Sequence, residues 1–581
     1  MGVFLRRRLI MQNRKSLNVA FVNPPHADWS LGNNIGYLMF QSHYNRRGKY
    51  ADNVNWIPAP YKWNQYQTYE DVYEEIKTAD IVLFSSYVWN YTIVDGLCKF
   101  IKEKTPSVIT VVGGPHIGTN ETLLMVERYQ LYDYICQPTK PGETFIEDLI
   151  NEWFDNNGLP QTENISWAIG SVKGIAHDIG QEDYSVYEDH IEYLTETLTY
   201  SRTHNLEPFV VLETTRGCPY KCVFCEWGGG IGTKIFKKEI ASVKRDIIAL
   251  KAAGFRDAYL TDANFGAFED RDIEIFGFAW SNNLNLTDIS TVKSKSLDRR
   301  KRLIDKWFDI VGPIKNRDRT LERVDNNMWD ATENMSVVPT VSIQSISDEA
   351  MRVADRVDLT TLDKLELSRY ISKKCAVYGY PIPALELILA MPGSTIQDFY
   401  AEMEVIWNFK AWGSYRHDYM FLPDSKLNSQ EYKDKYQIET VEVYSDVVDE
   451  DGIDNWSSLY KNKKTYFKTI RSCYSFTRHE IIEMWFMNCA ANYLLQHLYT
   501  GLQELTTPSS FAKICWKVVQ PLHDFQTIIE EIEDIFNPDT PPRSIRQIQG
   551  RFRVDVIEEM LENNLEEIKS EVLLQCLLTT N

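Results

Sequence analysis

The sequence predicts an α/β protein in three parts: a doubly wound parallel sheet, a partial (β/α)6 barrel and a mainly helical C-terminal region. Two stretches in which short apolar strands alternate with helices predict the two parallel arrays of strands. Beyond about residue 440 no strand pattern is convincing, which predicts the helical region. A length of 581 residues also exceeds one ordinary hydrophobic core and fits three units.

Composition and charge narrow the class of protein. The 82 acidic and 62 basic residues give a net charge of −20, which opposes binding to nucleic acid or to an anionic membrane. No stretch approaches the roughly 18 apolar residues that a membrane span needs. Arginines interrupt the apolar residues of the N-terminal tail, 1–16, so no secretory signal is expected. The ten cysteines lie far apart except for one trio, which favours a reducing compartment, and we expect a cytoplasmic monomer.

Residues 17–155 form the first predicted unit, a doubly wound, Rossmann-like domain. Its apolar strands are predicted at 17–25, 55–60, 80–87, 108–114 and 133–138. Helical apolar spacing is found at 69–79, 92–104 and 145–154. Sheets of this kind bind ligands outside the carboxyl ends of their strands, so the residues that end each strand are the candidate site.

Those strand ends carry small, amide and hydroxyl residues, which let a large planar ligand approach the backbone and hydrogen-bond to it. They are Asn23, Pro24, Ser85, Ser86, Tyr87, Gly113, Gly114, Pro115, His116, Gly142 and Glu143. No G-x-G-x-x-G follows the first strand, which argues against a dinucleotide. A nucleotide or flavin, or no ligand at all, remains an alternative because the fold supports many functions.

The second unit follows a predicted linker, 156–207, which contains a helix near 187–198. Strands in the range 208–430 are predicted at 209–215, 257–262, 288–294, 339–345, 384–391 and 414–423. Helices such as 237–254 and 360–379 lie between them. Six strand–helix units fit a partial parallel barrel better than a second flat sheet. Residues 431–581 complete the chain with helical segments such as 476–502.

One cysteine trio follows the first barrel strand. Cys218, Cys222 and Cys225 lie within eight residues, in a glycine-rich loop where three thiolates can converge on one inorganic centre. Iron–sulfur clusters normally take four cysteines, so three leave one iron open to a substrate. A structural zinc ion and reduced cysteines that meet by chance are the alternatives. Zinc needs a fourth Cys or His, and the next ones along the chain, Cys375 and His417, lie far beyond the trio.

The C-x3-C-x2-C spacing, with Phe224 before the last cysteine, resembles the signature of the radical S-adenosylmethionine (SAM) superfamily. The resemblance implies a 4Fe-4S cluster whose free iron chelates SAM and whose electron cleaves it to a deoxyadenosyl radical. Segments at 261–266, 342–351, 385–395 and 420–427 are similar to SAM-binding segments of that family. They also end barrel strands, where parallel barrels place their chemistry. The residues implied to contact SAM are Phe224, Asp262, Asn264, Ser342, Gln344, Leu387 and Leu422.

The N-terminal unit resembles the cobalamin-binding domain that precedes the barrel in one class of radical SAM enzymes. The resemblance includes the Y-x-W-N stretch at Tyr87, Trp89 and Asn90. It implies that these three residues and the strand-end residues named above bind cobalamin. The sequence departs from the Asp-x-His-x-x-Gly pattern that supplies an axial histidine, since His116 lacks the upstream aspartate. We therefore expect no histidine ligand to the cobalt, with Trp89 packed below it.

Together these resemblances imply a cobalamin-dependent radical SAM enzyme that methylates an unactivated carbon of a small-molecule or peptide substrate. It would use two SAM molecules, one to form methylcobalamin and one to generate the radical. An external electron donor of the flavodoxin or ferredoxin type is implied as a partner. One alternative is a cyclase, ring-rearranging or oxidative enzyme that transfers no methyl group. Another, from a different class, is a cobalamin-binding sensor with a structural cluster.

The C-terminal region is rich in aromatic residues, among them Tyr460, Tyr466 and Tyr474. They either cap the mouth of the barrel or form ordinary core, which is the commoner use of aromatic residues at helical spacing. Isolated cysteines such as Cys98 and Cys375 fit helical patterns and are predicted to be small buried residues.

Overall fold

The computed structural model describes most of the chain. It describes residues 15–25, 34–117, 131–136, 141–156, 183–204, 206, 208, 210–225, 235–313, 338–446, 459–488 and 525–543. Short gaps interrupt these ranges at 288, 292–293, 357–358, 381–382, 384, 410–413, 418–419, 423–424 and 461–462. The predicted N-terminal tail and linker therefore lie largely outside the described residues.

Five parallel strands form the N-terminal sheet, as the sequence predicts. They are β1 (Leu17–Val22), β2 (Val54–Trp56), β3 (Ile81–Ser85), β4 (Ile109–Gly113) and β5 (Tyr134–Ile135). Their order across the sheet is β2-β1-β3-β4-β5, and every neighbouring pair is parallel. Runs such as IVLFS and ITVVG are apolar and largely β-branched, which suits a sheet buried on both faces. The order reverses between β1 and β3, so that a crevice forms at their carboxyl ends.

Helices cover both faces of this sheet. They are Ile35–Arg47, Tyr69–Ile76, Tyr91–Lys104 and Gly142–Asp155, with a short 3-10 helix at Ala51–Asn53. Successive strand side chains point to opposite faces, so they enter two different hydrophobic cores. Leu83 packs in a core with the first and last of these helices, whereas Phe84 packs in a second core with the other two. The unit is therefore doubly wound.

Six parallel strands follow in the described part of the barrel region. They are β6 (Val211–Leu212), β9 (Asp257–Leu260), β10 (Asn285–Thr287), β11 (Val341–Gln344), β12 (Leu385–Ile388) and β13 (Ser414–His417). The first three form one sheet and the last three another, and a parallel bridge from Ser290 to Thr340 joins them. The strands therefore run side by side in chain order, which agrees with the predicted partial barrel. β10 ends directly before the predicted third strand, 288–294, so the prediction places that strand a few residues too late.

A short antiparallel pair, β7 (Thr215–Arg216) and β8 (Phe236–Lys237), interrupts this series after β6. The helices of this region are Ile191–Thr203, Ile240–Ala253, Glu269–Ser281, Leu297–Val311, Asp348–Val353, Thr361–Tyr378, Ile396–Phe409 and Gln430–Lys435. Two 3-10 helices lie at Glu188–His190 and Lys426–Asn428. Ser296, Ser347 and Thr360 each accept a backbone N–H at the start of a helix, which fixes where it begins.

A two-stranded antiparallel sheet lies in the C-terminal region, where no strand is predicted. β14 (Glu439–Asp446) pairs with β15 (Lys464–Ser472). The expectation of no strand beyond residue 440 is therefore wrong. Both strands carry several charged residues. In β14 the buried Val441 and Val443 flank the exposed Glu442 with the period of a half-buried strand, but β15 has adjacent aromatic residues and no such period. The other described elements there are helical, at 478–488 and Phe525–Ile535. Within the described ranges, no helix is long and apolar enough to cross a membrane.

β15 and the residues before it contact both preceding units. The backbone N–H of Tyr466 donates to Oη of Tyr91 at 3.1 Å, and Tyr460, 1% exposed, packs in the second core of the N-terminal sheet. On the barrel side, the N–H of Phe421 donates to the carbonyl of Lys468 at 3.0 Å. The C-terminal region thus lies across the junction of the two parallel units.

Candidate functional site

The cysteine trio lies in the loop that follows β7. Cys218 and Cys222 are buried and Cys225 is half-buried, and none of the three forms a disulfide with another described cysteine. Among the described residues, no three His, Cys, Asp or Glu side chains lie close enough together to hold a single metal ion. In a cubane cluster each thiolate binds a different iron, so its ligands surround a volume instead of converging on one point.

Two barrel segments fix the middle of this loop. The N–H of Val223 donates to the carbonyl of Ala354 at 3.0 Å, just after the helix Asp348–Val353. The carbonyl of Val223 accepts from the N–H of Leu427 at 2.9 Å, in the segment beyond β13. The loop therefore lies at the carboxyl ends of the barrel strands, where parallel barrels place their active sites.

Asn264 contacts the trio directly. Its Nδ2 donates to Sγ of Cys218 at 3.1 Å, and the residue is 2% exposed. Its Oδ1 is buried with no hydrogen-bond partner among the described atoms. Buried acceptors are normally satisfied, so this oxygen is suited to a donor on a bound ligand. Hydrogen bonds to cluster sulfurs also tune the reduction potential.

Asp262, another predicted SAM residue, holds the segment before the loop. Its Oδ1 accepts the backbone N–H of Thr214 at 2.7 Å and of Thr215 at 3.0 Å, and the Thr214 hydroxyl donates to Oδ2. Burial raises the pKa of Asp262 to about 6, although these hydrogen bonds act to lower it. The carboxyl is therefore engaged with the protein itself.

The remaining predicted SAM residues are distributed over three segments. The Ser342 hydroxyl donates to the Glu386 carboxylate, which also accepts from Thr340 at 3.2 Å. Gln344 is buried with φ at 68°, a strained value for a residue other than glycine, and β11 shifts register there. Leu387 is buried in the core, whereas Phe224 and Leu422 are half-buried.

Sequence reasoning missed Glu386. Its signal is a single carboxylate inside the apolar run LELILAM, where a buried strand has no structural need for a charge. The structure pairs it with Ser342 across β11 and β12, so both half-buried side chains lie on the same face of the barrel sheet. The roles of these residues toward SAM stay predictions.

At the N-terminal sheet, Asn90 closes the loop after β3. Its Oδ1 accepts the N–H of Tyr87 at 2.8 Å, and its Nδ2 donates to Oδ1 of Asn23 at 3.1 Å and to the carbonyl of Pro24 at 2.9 Å. The carbonyl of Ser85 is a further acceptor at 3.3 Å. One buried amide thus ties the ends of β1 and β3 together at the crevice.

Two stacked aromatic pairs lie beside this amide. The rings of Tyr87 and Trp89 are 4.5 Å apart and nearly parallel, and those of Tyr91 and His116 are 4.6 Å apart. Nε1 of Trp89 is buried without a hydrogen-bond partner among the described atoms. A flat aromatic surface and an unsatisfied donor fit a large planar cofactor with polar substituents.

The loop after β4 packs against the loop after β3 through backbone contacts. The N–H of Ser86 donates to the carbonyl of Gly113 at 2.8 Å, and the N–H of His116 donates to the carbonyl of Ser86 at 3.0 Å. Gly114 has φ at 102°, and a Cβ there would lie 2.6 Å from the Ser86 carbonyl oxygen. Its small size therefore brings these two loops together, while Pro115 beside it is exposed.

Glu143, the last predicted cobalamin residue, faces the cysteine loop. It is 3% exposed and accepts two hydrogen bonds from Arg216, at 2.9 and 3.1 Å. Burial acts to raise its pKa, but the charge and hydrogen bonds of Arg216 lower the pKa to about 2. A Cβ on the preceding Gly142 would lie 2.9 Å from the Phe40 ring, so glycine allows the helix to start here.

This ion pair brings the two predicted sites side by side. Glu143 begins the helix that follows β5, so it marks the carboxyl edge of the N-terminal sheet. Arg216 lies two residues before Cys218. Sequence reasoning missed Arg216, although its signal, a cation directly before the cysteine loop, is visible in the chain.

Solved structures with this architecture are known. The radical S-adenosylmethionine methyltransferase TsrM from Kitasatospora setae, solved with cobalamin and a [4Fe-4S] cluster bound, is 15% identical with a TM-score of 0.53. The match covers 90% of this chain and 99% of that one. OxsB, a cobalamin-dependent S-adenosylmethionine radical enzyme solved with aqua-cobalamin bound, is 12% identical with a TM-score of 0.56, over 95% of this chain and 81% of that one. The chain has the fold of the cobalamin-dependent radical SAM enzymes. The predicted fold class is therefore confirmed.

Curated relatives of this cobalamin-dependent radical SAM fold are also similar in sequence. The cobalamin-dependent radical SAM methyltransferase TokK of Streptomyces tokunonensis is 24% identical over 407 residues, which cover 68% of this chain and 55% of TokK. A 2-(S-pantetheinyl)-carbapenam-3-carboxylate methyltransferase of Streptantibioticus cattleyicolor is 24% identical over 376 residues, which cover 63% of this chain and 50% of that protein. The chain thus spans about half the length of these curated relatives. No family model matches it.

Proposed function

We propose that the chain is a cobalamin-dependent radical SAM methyltransferase that methylates a carbon of a small-molecule or peptide substrate. The observation that carries the proposal is the contact between Glu143 and Arg216. It sets the carboxyl edge of a doubly wound sheet beside a loop of three buried or half-buried thiols. TokK and TsrM are both methyltransferases, which favours methyl transfer over cyclisation.

The barrel, residues 208–430, would hold the cluster and SAM. Cys218, Cys222 and Cys225 would bind three irons and leave the fourth for SAM. Asn264 would donate to the Cys218 sulfur and offer its buried Oδ1 to the SAM amino group. Asp262 would act indirectly, because its carboxyl is occupied in holding Thr214 and Thr215 before the loop.

The N-terminal unit, residues 17–155, would hold cobalamin at the carboxyl edge of its sheet. The stacked rings of Tyr87 and Trp89 would lie against the corrin, and Asn90 would keep their loop in place. The other predicted cobalamin residues line the same edge, except that Glu143 is engaged by Arg216. When bound, the cluster would supply the electron that cleaves SAM, and cobalamin would carry the methyl group. The chain's own part is to place both groups and to exclude water between them.

The proposal includes an external electron donor of the flavodoxin or ferredoxin type and a cytoplasmic location. Seven cysteines fall in the described residues, and no two of them form a disulfide, which is consistent with a reducing compartment. The tryptophan-bound structure of TsrM supports a small molecule as the substrate class.

Anaerobic reconstitution with iron, sulfide and hydroxocobalamin tests this function. We expect wild-type protein to bind one cluster and one cobalamin, and to release deoxyadenosine from SAM when dithionite is added. Cys222→Ala should lose the cluster absorbance and the deoxyadenosine but keep cobalamin, because it removes a ligand without touching the N-terminal sheet. The readouts are absorbance, bound-cobalt analysis and product mass spectrometry.

Cys375→Ala is the matched control. Cys375 is fully buried in the helix Thr361–Tyr378, outside the cysteine loop, so its loss should lower stability and spare the cluster. A wild-type protein that forms the cluster but never retains cobalamin would contradict the proposal.

A further inference from the structure

A group of buried charges joins the two units beside the cysteine loop. We infer that Glu143 is a positioning residue: through Arg216 it holds the cysteine loop in register with the carboxyl edge of the N-terminal sheet. Cobalt and cluster would thereby keep a fixed separation and orientation. This inference rests on the proposed function above.

The geometry of Arg216 supports this role. Its Nη1 and Nη2 donate to the two oxygens of Glu143, at 3.1 and 2.9 Å. Its Nε and Nη2 donate to the two oxygens of Glu213, at 2.8 and 2.7 Å. Two carboxylates thus occupy two edges of one planar guanidinium, which fixes its orientation as a single-point ammonium contact would not.

The group is shielded from water and balanced in charge. The exposed fractions of the side chains are 3% for Glu143, 15% for Arg216 and 14% for Glu213. Nζ of Lys238, 8% exposed, lies 3.7 Å from Glu213 and adds a second positive charge. Because water reaches these groups poorly, removing one charge leaves its partners uncompensated, so their arrangement has to change.

The two carboxylates connect Arg216 to different parts of the chain. Glu213 lies three residues before Arg216 in the same segment, so its contact is local. Glu143 lies 73 residues before Arg216, on the helix that follows β5, so its contact crosses from one unit to the other. On the barrel side, the pairing of β7 with β8 and the bonds of Asp262 already hold the strand before the loop. Glu143 sets that strand against the N-terminal sheet.

Hydrogen exchange of the full chain without cofactors directly tests the link between the two units, which is the contact of Glu143 with Arg216. Glu143→Gln keeps the shape of the side chain and removes its charge, so amide exchange should rise about tenfold in both 141–156 and 213–225. Glu213→Gln should raise exchange in 213–225 and leave 141–156 unchanged. Glu402→Gln is the matched control, because Glu402 is a buried carboxylate that accepts from Ser345 and Ile346 within the barrel region. It should change neither segment.

A spectroscopic readout then connects the link to the cofactors. In protein reconstituted with cluster and hydroxocobalamin and reduced with dithionite, the paramagnetic cluster should shorten the spin relaxation time of cob(II)alamin. Glu143→Gln should retain both cofactors but weaken that effect and broaden its distribution. Glu402→Gln should leave the spin relaxation time at the wild-type value, since the loss of this buried charge does not change the separation of cobalt and cluster.

Unchanged exchange in 213–225 together with unchanged spin relaxation in Glu143→Gln would overturn the inference. If that variant fails to fold, Arg216→Lys is used in its place, because lysine keeps the charge but loses the two-sided geometry. The same loss of protection across both segments is then expected, and normal protection in both would again overturn it. Wild-type protein that binds no cobalamin would defeat the proposed function, while the exchange result without cofactors still decides the link.

Discussion

A single amide touches the first cysteine of the trio, and its removal should have an electrochemical effect. Asn264→Ala deletes the donor to the Cys218 sulfur. A thiolate without that bond is more electron-rich, so the reduced cluster is less stable and the reduction potential becomes more negative. One such hydrogen bond is worth about 1 kcal/mol, which corresponds to a shift on the order of 40 mV. Spectroelectrochemistry of the reconstituted protein measures it.

Asn285→Ala provides the comparison for this shift. Asn285 is also a barrel asparagine, but its Nδ2 donates to Asp257 at 2.6 Å and not to a cysteine. Its removal should leave the potential at the wild-type value. Equal potentials for wild type and Asn264→Ala would show that the amide does not act on the cluster.

The raised pKa of Asp262 predicts how stability depends on pH. Its folded pKa of about 6 exceeds its ordinary value of 3.8, so between these values the folded protein binds a proton that the unfolded chain releases. The free energy of unfolding therefore falls as pH rises from about 4 to 6, by roughly 3 kcal/mol at most from this group. Asp262→Asn keeps an acceptor for Thr214 and Thr215 and should flatten that part of the profile. Denaturant unfolding of cofactor-free protein at several pH values checks it, and a slope identical to wild type would contradict the assignment.

At the residue scale the sequence identifies which side chains lie at the site better than it identifies their partners. The trio and the strand-end residues are visible from their spacing and their neighbours. Asn90, however, binds Asn23 and Pro24, and Glu143 binds Arg216. These pairs are far apart in the chain, so no local pattern reveals that the polar groups satisfy each other.

At the scale of elements, the close approach of the β3 and β4 loops predicts the effect of one added methyl group. Gly114→Ala would place Cβ 2.6 Å from the Ser86 carbonyl oxygen and 2.7 Å from its nitrogen, at φ 102°. The backbone must shift, at a cost of about 3 kcal/mol, and cobalamin affinity should fall with it. Thermal unfolding and cobalamin titration of the purified variant measure the two effects.

Gly312→Ala separates backbone strain from crowding. Gly312 also has a positive φ, 62°, but no described atom lies within 4 Å of its Cβ position. Its ψ of −178° is also a glycine-only conformation, so its substitution should cost about 1–3 kcal/mol through backbone strain but leave cobalamin binding unchanged. Equal losses of cobalamin affinity in the two variants would mean that contact with Ser86 is unimportant.

The parallel strands and most helices are predictable because the apolar residues of each repeat with the period of its type and recognisable turns bound it. β14 and β15 are not, since charged residues such as Glu442 and Lys468 interrupt their few apolar residues and β15 lacks a regular alternation. The two strands also pair with each other in an antiparallel sheet, so neither shows the continuous apolar run of a buried parallel strand.

At the scale of the whole molecule, one residue of the C-terminal region should stabilise the N-terminal sheet. Tyr460 is 1% exposed and packs in the second core, which also contains the buried side chains of the helix Tyr91–Lys104. Tyr460→Ala should cost about 3–5 kcal/mol and raise hydrogen exchange in that helix, more than 350 residues earlier in the chain. Tyr474→Ala, which removes a 41% exposed side chain bonded to Glu349, should cost less than about 1 kcal/mol. Unchanged protection of the helix in Tyr460→Ala would refute the dependence.

The order of the parts is predictable from the sequence, whereas their junction is not. Alternating strands and helices predict two parallel arrays, and the three cysteines follow the first strand of the second array. Contacts such as Tyr466 with Tyr91 join residues 375 positions apart, and nothing in either neighbourhood specifies the other. The expectation that C-terminal aromatic residues are either core or cap is met in part by Tyr460, which is core.

The contact of β15 with Tyr91 can form only late in the synthesis of the chain. A ribosome adds about 5–20 residues per second, so the 375 residues between the two partners take on the order of 20 to 75 seconds to make. Throughout that interval the nascent N-terminal unit lacks Tyr460 in its second core and the strand residue that bonds to Tyr91. A chaperone that shields exposed apolar surface would therefore matter most before codon 466 is translated.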